Sequence, residues 1–217
     1  MAKKNIKTGI FITFEGPEGC GKSTHSKLLY DHLKKLSYDC IHTREPGGTK
    51  LGERVRELLL HSDGVKISDL AELFLFEAAR SQIVKEVILP ALGSGKIVLC
   101  DRFSDATFSY QGYGGKVPLQ IIKALDSVAT GGLKPDLTIL LDVDTATGLA
   151  RAKSKGVDRM EKKDVAYHKR VRLGYLKLAK DDPARIKVIK VTGLIPKTQG
   201  LVLREVESVI RKHKRTG

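Results

Sequence analysis

The stretch FEGPEGCGKST, Phe14 to Thr24, constrains this chain more than any other. Gly16, Gly21, Lys22 and Ser23 satisfy the pattern G-x-x-x-x-G-K-[ST], which describes a loop that wraps phosphates. Such a loop needs a strand before it and a helix after it, because its inward-pointing N–H groups are completed by the positive end of that helix. Gly16, Gly19 and Gly21 let the backbone curl, Lys22 adds a point charge near the β and γ phosphates, and the Ser23 hydroxyl would sit on Mg²⁺. The run Gly16, Pro17, Glu18, Gly19, Cys20, Gly21, Lys22, Ser23 and Thr24 is therefore the candidate donor-nucleotide site. It names a donor and leaves the acceptor open.

The flanks meet that demand. Gly9 to Glu15 is a β-prone run ending at the loop, and Lys22 to Leu36 carries apolar residues at helical spacing. Cys40 to Thr43, Ile97 to Asp101, Leu137 to Val143 and Ile186 to Val191 read as further buried parallel strands. Helical segments separate them at Leu51 to Leu60, Ser68 to Leu92, Pro118 to Ala129, Thr145 to Lys155, Asp164 to Lys180 and Pro196 to Arg211. This alternation implies an α/β fold, a parallel sheet of about five strands covered on both faces, with ligands outside the carboxyl ends of the strands. One domain over 1–217 is the simplest account, with turns near Gly64 and at Gly131 and Gly132. Neither D-x-x-G nor N-K-x-D occurs, which argues against a signalling GTPase.

A net charge of +14 favours polyanionic partners, whether nucleic acid, acidic membrane or phosphorylated small molecules. Part of it lies in MAKKNIK and IRKHKRTG, where basic tails are ordinarily solvated termini. Cys20, Cys40 and Cys100 lack C-x-x-C spacing and read as free thiols in a reducing compartment. No apolar h-region follows the basic N-terminus and no apolar stretch reaches membrane length, so a cytoplasmic protein is expected.

Three clusters could serve an acceptor. TREPGGT, Thr43 to Thr49, follows the second strand as a tight turn beside Arg44 and Glu45, and its charges could equally be solvated. In CDRFSDATFSYQG, Cys100 to Gly112, Asp101 and Arg102 emerge at a strand's carboxyl end, as a helix cap with an exposed arginine also would. In LFLFEAAR, Leu73 to Arg80, Phe76 and Arg80 share a helical face, which suits stacking on a base or plain core packing.

Taken in order, FEGPEGCGKST, TREPGGT, LFEAAR, CDRFSDATFSYQGYG, PDLTILLDV and DRMEKKDVAYHKRVRLGYLKLA make the chain resemble bacterial thymidylate kinases from about Gly9 to about Ala179. The resemblance implies a three-layer P-loop nucleoside monophosphate kinase-like fold, transfer of the γ-phosphoryl of ATP to dTMP to give dTDP, Mg²⁺ as cofactor, and a homodimer packed through helices. It implies neither nucleic acid nor membrane as a partner. By the same resemblance Phe76 stacks on thymine, Arg80, Thr107 and Gln111 face its polar edge, and Tyr110 crowds the 2′ position. Glu45, Arg56 and Arg102 match positions around the acceptor sugar and phosphate. Glu18 and Asp101 lie where the family organises the 3′-hydroxyl, metal waters or phosphate, which makes Ser23 and Asp101 the candidate metal positions.

RAKSKGVDRMEKK, Arg151 to Lys163, corresponds to the family's lid. Pro17, Glu18, Gly19 and Cys20 are not basic, so the resemblance points to the subgroup whose catalytic cation stands in the lid. Arg151, Lys153, Lys155 and Arg159 are candidates, with Arg159 first. This chain has a lid one residue short of the familiar pattern, with Lys153 and Lys155 where arginine is common, and Gly115 where arginine often stands.

The chemistry wants such charges. An acceptor phosphate with a second pKa of about 6 is already a nucleophile near neutrality, so positioning and charge stabilisation are the levers left to the protein. Two rival readings remain at this stage. A deoxynucleoside kinase would need a carboxylate base such as Glu45 or Asp101, and a nucleic-acid-binding ATPase would use the basic charge.

Overall fold

The computed structural model describes residues 9–61, 64–153 and 159–216. Five parallel strands form one sheet in the order β2-β3-β1-β4-β5. The three inner strands, β1 (Ile10–Glu15), β3 (Ile97–Asp101) and β4 (Leu137–Asp142), are buried almost throughout. Their unbroken apolar runs are what strands covered on both faces require. The edges β2 (Cys40–Arg44) and β5 (Ile186–Lys190) mix buried with part-exposed residues, as strands with one neighbour can.

Helices cover both faces: α1 (Lys22–Lys35), α2 (Lys50–His61), α3 (Asp69–Ile83), α4 (Leu89–Gly93), α5 (Ser104–Thr107), α6 (Leu119–Thr130), α7 (Thr145–Lys153), α8 (Val165–Asp181) and α9 (Ile195–Thr216). Ile10, Ile12 and Phe14 of β1 pack with Leu29 and Leu33 of α1 and Val202 and Val206 of α9. Phe11 points the other way, toward Ile83, Ile88 and Phe103. The period of two along β1 therefore sends Glu15 to the face opposite α1. None of the described helices is long and apolar enough to cross a membrane.

Two departures from the sequence expectation have physical causes. The helix expected over Ser68 to Leu92 is interrupted by a π-helical turn, Val84–Ile88, where the Leu89 N–H reaches back to the Val84 carbonyl. Pro90 follows immediately and has no N–H to continue the regular ladder. Ser104 to Gly114, outside the helical segments expected from the sequence, is helical, first α5 and then a π-helical segment, Phe108–Gly114. Its glycines and aromatics give weak local propensity, and packing against α8 decides instead: Gly114 meets Tyr167 and Val171 so closely that a Cβ would lie 2.8 Å from each. The expected end of α7 at Lys155 falls outside the described residues.

Candidate active site

The glycine loop joins β1 to α1 as its pattern demands, and Lys22 folds back into it. The buried Lys22 Nζ donates to the carbonyls of Gly16 and Pro17, each at 2.9 Å. The loop is clamped against α7 with no space to spare. A Cβ on Gly19 would lie 2.0 Å from the Gly148 carbonyl, and one on Gly148 would lie 2.4 Å from the Glu18 carbonyl. Only glycine fits at either place.

Two cavities meet here, and Lys22 and Ser23 line both. The larger, about 460 Å³, runs from Gly19, Cys20, Gly21 and Thr24 past Arg151 to Gly193 and Thr198. Its lining includes the glycine loop, the expected donor-nucleotide site. The other, about 230 Å³, gathers Glu18, Glu45, Arg56, Phe76, Arg80, Asp101, Arg102, Thr107, Tyr110 and Gln111, so the acceptor residues expected from sequence line a single cavity.

At the junction Ser23 Oγ donates to Asp101 Oδ2 at 2.5 Å, while Asp101 Oδ1 is buried without a partner. A hydroxyl beside a carboxylate with one oxygen left over suits Mg²⁺, a hard cation that keeps several of its waters and takes few protein ligands. No group of three or more His, Cys, Asp or Glu that could by itself hold a metal ion is found among the described residues.

Arg102 is the hub of the acceptor cavity. Its Nη2 donates to Glu18 Oε1 at 2.8 Å and lies 3.1 Å from the Tyr110 hydroxyl, and Tyr110 donates to the same Glu18 oxygen at 2.6 Å. Burial alone would raise the Glu18 pKa, yet Arg102 and Lys22 outweigh it and hold the carboxyl at about 2. Arg56, fixed by a 3.0 Å bond to the Pro46 carbonyl, has its pKa lowered by burial and by the neighbouring charges of Arg44 and Arg102. On the lining, Lys22, Arg44, Arg56, Arg80 and Arg102 outnumber Glu18, Glu45 and Asp101, and this excess of cations favours a polyanion in the space they enclose.

At the far end Phe76 is half-buried on the wall and Arg80 is fully buried. Arg80 is anchored on several sides. It donates to Glu45 at 2.9 Å, Glu77 at 2.7 Å, Thr107 at 2.9 Å and the Phe103 carbonyl at 3.1 Å. Burial raises the pKa of Glu45 and of Glu77 to about 7, against the pull of Arg80, because these carboxyls and Asp126 crowd one cation. Gln111 is held by Glu72 at 2.7 Å.

The lid candidates separate. Arg159 lies outside both cavities: it donates to the Leu59 carbonyl at 2.7 Å and pairs with Glu72, bracing the acceptor wall where Met160 enters. Arg151 lines the donor cavity. Lys153 is exposed on the last turn of α7, and Lys155 lies outside the described residues. Sequence reasoning gave Arg44 and Met160 no lining role and Glu72, Glu77 and Asp126 no supporting one; Glu72 and Asp126 lie outside every motif, and nothing in LFEAAR itself marks Glu77 as a partner of Arg80. VIKVTGLIP, which the resemblance implies as the adenine-side segment although it matches the family poorly, lines the larger cavity through Val191, Gly193, Leu194 and Ile195.

A glycine loop whose lysine and serine are shared between a donor cavity and a cation-ringed acceptor cavity, on a five-stranded parallel sheet, defines a P-loop kinase of the nucleoside monophosphate class. The profile of the thymidylate kinase family matches residues 14–200. A thymidylate kinase of Caldanaerobacter subterraneus subsp. tengcongensis is 43% identical over 206 residues, covering 95% of this chain and 99% of that protein. One from Dehalococcoides mccartyi strain 195 is 51% identical over 176 residues, 81% of this chain and 85% of that protein. The crystal structure of thymidylate kinase from Ehrlichia chaffeensis superposes with a TM-score of 0.76 at 36% identity, covering 92% of this chain and 99% of that one. The chain belongs to the thymidylate kinase family.

Proposed function

We infer that this protein transfers the γ-phosphoryl group of ATP to the phosphate of dTMP, giving ADP and dTDP. The observation that carries the reading is the convergence of Lys22, Arg56 and Arg102 on one cavity that shares Lys22 and Ser23 with the donor side. ATP phosphates lie along the glycine loop, with their N–H partners and Lys22. The dTMP phosphate faces Arg102 and Arg56, and its base reaches Phe76, Arg80, Thr107 and Gln111. Tyr110 stands beside the sugar.

No side chain needs to take a proton from the acceptor, because a phosphate with a second pKa of about 6 is already a dianion. The protein orients the two anions end to end and offsets their repulsion with fixed guanidinium groups, which cost no reorganisation when the bond forms. Mg²⁺, held by Ser23 and Asp101, would supply further charge neutralisation at the donor phosphates. Arg151 is the lid-side cation of the donor cavity, and Arg159 steadies the acceptor wall through Glu72. Exposed Leu51 and Leu58 on α2, Leu70 and Phe74 on α3 and Ile121 on α6 support a homodimer packed through this helical layer.

A coupled ADP-release assay tests the assignment. Turnover with dTMP should exceed that with CMP, AMP, GMP or thymidine by roughly 10²-fold or more. Equal or better turnover with any of these would overturn it.

A further inference from the structure

Arg102 is held in a backbone conformation that an arginine seldom adopts. Its φ is +70°, in the left-handed region, which costs a non-glycine residue on the order of 1–3 kcal/mol unless the surroundings enforce it. Every peptide group around it is tied. The Arg102 N–H donates to the Phe14 carbonyl at 3.0 Å, the Arg102 carbonyl accepts from Cys100 Sγ at 3.0 Å, and the Phe103 carbonyl accepts from Arg80 at 3.1 Å. The fourth tie is a side chain: the Phe103 N–H donates to Glu15 Oε1 at 2.6 Å.

Glu15 has no exposed surface and touches neither cavity. It is the last residue of β1, on the sheet face turned toward α8, one residue before the loop. Its second oxygen accepts from the Tyr175 hydroxyl at 2.7 Å, and the Tyr175 oxygen lies 3.3 Å from Arg102 Nη1, which donates to it. One carboxyl group thus reaches Arg102 twice, through the backbone on one side and through the guanidinium on the other. Burying a carboxyl that takes no part in binding is costly, and an apolar residue would fill the same space without that cost. A group that aims Arg102 needs both oxygens.

We propose that Glu15 is a positioning residue for phosphoryl transfer, which with Tyr175 fixes the backbone turn and the guanidinium direction of Arg102 toward the acceptor phosphate. The inference rests on the acceptor reading given above. Glutamine is nearly isosteric but carries one acceptor in place of two. Either its NH₂ opposes the Phe103 N–H, or it donates to Tyr175 and competes with Arg102 for the phenol oxygen.

The test is steady-state kinetics of Glu15→Gln and Tyr175→Phe, with dTMP and ATP varied separately and melting curves recorded. Each variant should lose roughly 10- to 100-fold in kcat/KM for dTMP, while the KM for ATP moves less than about twofold. Adding Tyr175→Phe to Arg102→Ala should cause little further loss, because both remove the same aimed charge. Wild-type dTMP kinetics in a folded variant would overturn the proposal, as would equal losses for both substrates or a full additional loss in the Arg102→Ala background. If Glu15→Gln fails to fold, Tyr175→Phe decides. Failure of the wild-type protein to turn over dTMP would instead strike the substrate assignment, and the same comparisons would then be made with whichever acceptor it phosphorylates.

Discussion

Arg102 and Glu18 form an ion pair at 2.8 Å at the point where the donor loop meets the acceptor cavity. Arg102 lines the acceptor cavity while its Nη1 is tied to the Gly16 carbonyl and the Tyr175 hydroxyl and its Nη2 to Glu18 and the Tyr110 hydroxyl. Arg102→Ala removes the cation and exposes the anion. A loss of roughly 10²–10³ in kcat/KM for dTMP is expected, with ATP affinity nearly intact. Steady-state kinetics with each substrate varied in turn decides this, and comparable losses on both sides would contradict the placement of Arg102.

Gly148 has no room for a side chain, since an added Cβ would press on the Glu18 carbonyl at 2.4 Å. On an exposed helix, glycine to alanine typically gains about 0.5–1 kcal/mol. Here the loop must move instead. Gly148→Ala should lower kcat/KM for ATP by roughly tenfold or more and lower the melting temperature. A variant that melts higher and works normally would contradict the clamp between α7 and the glycine loop.

Stability should depend on pH in a direction set by buried carboxyls. Burial raises Glu45 and Glu77 to about 7, from an ordinary 4.5. The unfolded chain releases these protons near pH 4.5 while the folded protein keeps them, so stability falls as pH rises from there toward about 7. Glu18 runs the other way. Its carboxyl ionises at about 2 in the fold, so its contribution is complete above pH 4.5 and is lost as pH falls toward 2. Melting curves should peak near about pH 5 and decline by several degrees at about pH 8.5. A flat or rising melting temperature between about pH 6 and 8.5 would refute this balance.

Phe76 is only half-buried and faces the acceptor cavity, so its ring is available to a base. Phe76→Ala should raise the KM for dTMP by roughly tenfold, the worth of one stacking contact, with a modest change in melting temperature. An unfolded variant would show that the ring serves the core.

The sheet was legible because its strands are apolar runs placed directly before loops with distinctive chemistry, as IFITFE stands before the glycine loop. The acceptor residues were legible for the same reason: Glu45, Asp101 and Arg102 end or follow strands whose positions were clear. Other features arise only from tertiary contact. Nothing local marks Phe108–Gly114 as π-helical, since α8 shapes it. Arg80 could be matched to a base site, but of its three acidic neighbours only Glu77 is near it in sequence; Glu45 comes from the turn after β2 and Asp126 from α6. Arg159 was the first choice among the lid cations because of its motif, whereas Glu72, distant along the chain, fixes where it points.

The central claim is that guanidinium groups from separate segments enclose the acceptor phosphate. Calorimetric titration with dTMP and with thymidine measures it directly, because the two ligands differ only in that phosphate. The account predicts that dTMP binds at least about 100-fold more tightly than thymidine, and that Arg102→Ala together with Arg56→Ala erases most of the difference. Equal affinity for the two ligands, or a preference for dTMP that survives loss of both arginines, would contradict it.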